Sequence, residues 1–166
     1  MTTKADYTAE EWHVIMQSPM AAGLVVIYAD PSNPVGLAQE TFAVSKMMAQ
    51  QAGAPVGNSL ISAVAQEIKD SEGRKATQPT KPAKGSDLAA AKAQALGTLQ
   101  QLNELLAAKA PPDEADGFKQ WIVATAKQVA GAAKEGGFLG IGGTSVTPAE
   151  TAAVADVART LGVESA

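Results

Sequence analysis

Apolar residues recur at helical spacing through most of this chain, and the densest run of them extends from Trp12 to Ala29. Thr8 followed by Glu11 has the form of a capping box, so the pattern predicts a helix starting near Ala9. Trp12, Ile15, Met16, Leu24, Ile27 and Tyr28 mark its apolar face. Pro19 has no amide hydrogen, and a proline ring collides with the carbonyl four residues earlier, which predicts a kink or break over 17–19. Residues 20–29 are apolar on nearly every face, the pattern of a helix surrounded by others.

The later pattern divides into five more helices. Asp30-Pro31-Ser32-Asn33-Pro34 is a reversal signal, and Leu37, Thr41, Val44, Met47 and Met48 then predict a second helix over 35–51, antiparallel to the first. Asn58 or Ser59 can cap a third, which buries Leu60, Ile61, Val64 and Ile68 and ends near Asp70. Residues 71–86 contain no large apolar side chain, and are expected to form a flexible surface linker. Leu88, Ala95, Leu99, Leu102 and Leu106 form one stripe of a helix over 87–109. Phe118, Trp121, Ile122, Thr125 and Val129 predict the inward face of the next, from about Asp113 to Lys134, whose first-turn acids suit the helix dipole. Thr147, Pro148 and Glu150 open the last helix, Val154, Val157 and Leu161 face its core side, and Gly162 ends it. The expected architecture is all-α: a single-domain bundle of about six helices over 1–166, two helical hairpins joined by a linker-containing middle.

Composition adds limits to this reading. Aromatics are only 4% of the residues, so the core must be built from close helix contacts through Ala, Val, Leu, Ile and Met. The net charge is −4 with no basic stripe, which argues against a nucleic-acid partner. Cysteine is absent, excluding disulfides, thiolate metal sites and a cysteine nucleophile. Met1 to Asp6 lack the basic and apolar regions of a signal peptide, and a cytoplasmic protein of bacterial type is expected. The run Trp12–Ala29 reaches the lower length limit for a bilayer span, yet it contains His13, Gln17, Ser18 and Pro19 and is flanked by acids, so a buried helix is the better reading.

Candidate chemistry is sparse. Glu10 and His13 have the Glu-x-x-His spacing of di-iron bundles, but a second such pair is impossible with one histidine. Asp30, Ser32, Asn33 and Glu40 are interrupted by Pro31 and Pro34 and do not fit a calcium loop. No catalytic residue, metal or cofactor is expected. The segment 136–143, Gly-Gly-Phe-Leu-Gly-Ile-Gly-Gly, lacks the lysine ending of a phosphate loop. Its Phe138, Leu139 and Ile141 either tuck into the core behind a glycine helix stop or stand on a loop that binds a protein partner, a second copy or, less favourably, a membrane surface. The leading expectation is a non-enzymatic interaction protein using those three side chains. The alternative is a small-molecule-binding protein or enzyme with an inter-helix pocket lined by Met16, Met20, Met47 and Trp121, since methionine adapts to irregular ligands as well as irregular cores.

Gly142-Gly143-Thr144-Ser145-Val146-Thr147-Pro148-Ala149-Glu150, followed by Val154, Val157 and Leu161-Gly162, resembles the second hairpin of TerB-like tellurite-resistance domains. The likeness lies mainly within 113–163, and Ala29-Asp30 before Gly36 and Glu40 is similar to the same family's acidic turn. The later loop departs from that turn in having Gly142-Gly143 and no aspartate, so no metal ligands are implied. The resemblance implies an all-helical fold and a stress-related or membrane-proximal accessory role.

Overall fold

A computed structural model of the chain describes residues 2–29, 57–69, 71–77, 87–135 and 146–163. These form helices α1 (Ala9–Ile27), α2 (Ser59–Glu67), α3 (Ser71–Ala76), α4 (Leu88–Lys109), α5 (Pro112–Glu135) and α6 (Pro148–Leu161), with a turn of 3₁₀ helix at Lys4–Asp6. There is no strand among the described residues. Five of the helices are those expected from the apolar pattern; the one expected over 35–51 lies outside the described residues. The sixth, α3, is a short helix at the start of the stretch read as a linker, and its Ala76 packs against the core. Polar composition alone hid it, because a tertiary contact can order six residues that have no apolar stripe of their own.

Helix starts are fixed by side chains. Thr8 and Glu11 form the expected box, with the Thr8 amide donating to Glu11 Oε2 at 2.7 Å and the Glu11 amide to Thr8 Oγ1 at 3.2 Å. Thr147 and Glu150 repeat it at 2.7 and 3.2 Å. Asn58 Oδ1 accepts from the amides of Leu60 and Ile61, and Asp87 Oδ1 from that of Ala90. Gly162 ends α6 in the left-handed region at φ 66°, where glycine carries no Cβ penalty.

Helix α1 is the axis of the bundle. It packs most extensively on α4 and α5 and also meets α6, and every residue from Ile15 to Ile27 is buried. Helices α4, α5 and α6 pack on one another as well, and α2 adds Leu60, Ile61, Val64 and Ile68 to the same core. Glu11 Oε2 and Lys109 Nζ, 2.6 Å apart, bring the start of α1 to the end of α4. The two-residue turn Ala110-Pro111 reverses the chain, placing the start of α5 at the same pole. At the interface of α4 with α6, Lys92 bonds to Asp156 at 2.9 Å.

Of the kink or break expected near Pro19, the break does not occur: α1 is continuous through it. Pro19 cannot donate to the carbonyl of Ile15, but the hydroxyl of Ser18, fully buried, donates to that carbonyl at 2.7 Å. The adjacent side chain thus replaces the missing backbone donor. A second departure is Leu88, expected on the buried stripe of α4 but 39% exposed. It is the first residue of the helix, and the stripe is buried only from Ala91 onward, through Ala95, Leu99, Leu102 and Leu106.

Candidate functional site

The expected contact residues Phe138, Leu139 and Ile141 lie outside the described residues, as does Met47. The other expected pocket residues are described. Met16 and Met20 sit in the middle of α1 and belong to the core. Trp121 is half-buried at the margin of the core, its ring centroid 5.4 Å from that of Phe118. His13 and Glu10 are exposed on α1, and no group of three or more His, Cys, Asp or Glu among the described residues is arranged to hold a metal ion.

A group of polar side chains is bonded together where the N-terminal arm meets the starts of α2 and α5. Glu114, in the first turn of α5 and buried, takes two bonds on Oε2, from the Thr2 amide at 2.8 Å and the Thr2 hydroxyl at 2.7 Å. Asn58 Nδ2 donates to the Glu114 carbonyl at 2.8 Å, and Ser59 Oγ to the Thr2 carbonyl at 3.2 Å. Beside these groups is an open notch of about 120 Å³ lined by Gly57, Asn58, Ser59, Pro111, Asp113 and Glu114. The sequence pattern identified Glu114 only as a dipole-compatible first-turn acid; its bonds to Thr2, 112 residues away, have no local signal.

A second layer of contacts lies just beyond. Lys4 Nζ reaches Glu67 Oε1 at 2.6 Å, and Trp12 Nε1 donates to Glu67 Oε2 at 3.0 Å. Lys4 and Lys109 each stand 5.9 Å from a ring centroid, that of Trp12 and that of Tyr7 respectively. Those two rings are tilted against each other, 6.1 Å apart.

Ionisable groups here respond to structural partners. The Lys109 ammonium beside Glu11, helped by the Thr8 amide, lowers the carboxyl pKa of Glu11, and the Thr3 amide lowers that of Asp6. Burial raises the phenol pKa of Tyr7. On the α4–α6 interface, the hydrogen bond from Lys92 lowers the carboxyl pKa of Asp156. Each of these shifts follows from a cap, an ion pair or burial.

No known family, curated protein or solved structure matches the chain. The described residues form an all-helical bundle in which buried Glu114 joins α5 to the N-terminal arm.

Proposed function

We propose that this chain is a non-enzymatic helical interaction protein, contacting a protein partner or a second copy of itself through segment 136–143 at the junction of α5 and α6. The observation that carries the reading is Val146. It is 40% exposed, one of the two exposed large apolar side chains among the described residues, and it closely follows the segment that holds Phe138, Leu139 and Ile141. An apolar residue left in water beside a glycine-flanked apolar sequence has the character of a contact edge. Met16 and Met20, 0% and 2% exposed, are used in helix packing, which favours this reading over an inter-helix ligand pocket. No helix among the described residues is long and apolar enough to cross a membrane. The TerB-like resemblance, which lies mainly within residues 113–163, adds a stress-related or membrane-proximal accessory role to the proposal.

The test is site-specific photo-crosslinking in cells, with the reactive residue at Ile141 and, as a control, at the exposed Gln101 on α4. A discrete adduct, either homodimeric or with one partner, is expected from position 141 alone. Phe138→Ser with Leu139→Ser should lower its yield about tenfold or more, the loss of one to two anchor side chains, with far-UV circular dichroism unchanged. Equal labelling from both positions, or unfolding of the serine variant, would overturn the reading.

A further inference from the structure

We propose that α2 and α3 form a flap on the four-helix core of α1, α4, α5 and α6, and that the N-terminal arm is its latch. The flap opens as a unit without unfolding the core, uncovering an apolar surface made of Leu60, Ile61, Val64 and Ile68 and the helices they cover. The inference does not rest on the role of segment 136–143.

Three observations carry it. First, among the described residues the helices divide by their packing: α1, α4, α5 and α6 each contact the other three, whereas α2 meets chiefly α5 and α3, and α3 meets α1 and α2. A unit with few neighbours opens more readily than one enclosed on every side. Second, α2 and α3 are tightly joined to each other. A Cβ at Gly73 in α3 would collide with the Glu67 carbonyl at the end of α2, so only glycine permits this close corner. Third, polar ties hold both ends of α2, two of them to the arm and two directly to the core helices. Ser59 at the start of α2 bonds to the Thr2 carbonyl, and Thr2 in turn is held by Glu114 of α5. Glu67 at the end of α2 holds Lys4 of the arm and the indole of Trp12. Asn58 adds a direct bond to the Glu114 carbonyl, at a place where α5 approaches so closely that a Cβ on Gly117 would lie 2.8 Å from Asn58 Nδ2.

The arm can therefore be loosened without touching the core. In the full chain, Lys4→Ala with Ser59→Ala removes the ties of the arm to Glu67 and Ser59 and leaves the Thr2–Glu114 bonds and every helix cap in place. Backbone hydrogen exchange, resolved by peptide, is the readout. In the unsubstituted protein, amides over 63–67 are expected to exchange faster than those over 95–106 of α4. In the double variant, exchange over 63–67 and 75–77 should rise roughly tenfold, the combined effect of one lost hydrogen bond and one exposed ion pair, with α4, α6 and α1 beyond Met16 unchanged. Gly117→Ala, which pushes on Asn58 from the other side, should give the same selective pattern. The proposal is overturned if α2 is as slow as α4 in the unsubstituted protein. It is equally overturned if either variant accelerates all helices together, or if both leave α2 unchanged.

Discussion

Removing the Ser18 hydroxyl should destabilise the protein chiefly because Pro19 follows it. Ser18 is sealed from water at 0% accessibility, and its Oγ donates to the Ile15 carbonyl that Pro19 leaves without its helical donor. Ser18→Ala deletes that donor inside the bundle. A buried acceptor stripped of its partner costs about 1–3 kcal/mol, and in a chain of this size each kcal/mol lowers the melting temperature by about 2–4 °C. Pro19→Ala restores a backbone amide at the position from which the Ile15 carbonyl is ordinarily served, so the hydroxyl becomes redundant in that background. A four-member cycle of the unsubstituted protein, the two single variants and the double variant, unfolded in urea and followed by far-UV circular dichroism, measures the coupling directly. Ser18→Ala is expected to cost at least about 1 kcal/mol less in the Pro19→Ala background than in the unsubstituted protein, beyond the few tenths within which independent sites add. Equal costs in the two backgrounds would refute the argument, showing that the hydroxyl does not substitute for the missing amide.

Two further outcomes follow from other parts of the bundle. Gly97, in the middle of α4, has open space where a Cβ would stand, so Gly97→Ala should stabilise by about 0.5–1 kcal/mol through backbone entropy; Gly117→Ala should fall short of that gain because its Cβ meets Asn58, and thermal melts of the two variants compare them. Because the folded protein lowers the Asp156 pKa through Lys92, the stability this pair supplies is complete at neutral pH and is lost as pH falls below the usual aspartate range through the lowered value. Lys92→Ala should remove about 0.5–1 kcal/mol at neutral pH and flatten the acid limb of a urea midpoint-versus-pH curve, and an unchanged limb would contradict the assignment.

Much of the fold was legible in the sequence because its signals are local. Thr8 with Glu11, Thr147 with Pro148 and Glu150, and Asn58 before an apolar turn state their helix starts within four residues, and each makes the expected bonds. The inward residues of α5 also follow from spacing alone, with Phe118, Ile122 and Thr125 fully buried. Continuity at Pro19 depends on the serine before it, whose hydroxyl serves the freed carbonyl only in a buried rotamer that spacing does not reveal. Leu88 fitted the stripe of α4, but packing begins only at Ala91. The junction of Thr2, Asn58 and Glu114 was not legible at all, since it joins three distant stretches through single polar atoms. Of the candidate functional residues, Met16 and Met20 are core, Trp121 lies at its edge, and Phe138, Leu139, Ile141 and Met47 are outside the described residues.

The bond from Trp12 to Glu67 has a spectroscopic consequence. The protein holds two tryptophans: the indole of Trp12 is bonded to α2, while Trp121 on α5 rests against Phe118. A carboxylate at an indole nitrogen alters the emission of that ring, so each tryptophan reports a different region under ultraviolet excitation. With Trp121 replaced by phenylalanine, the remaining fluorophore is an intrinsic gauge of whether α2 is seated, readable in real time without an added dye.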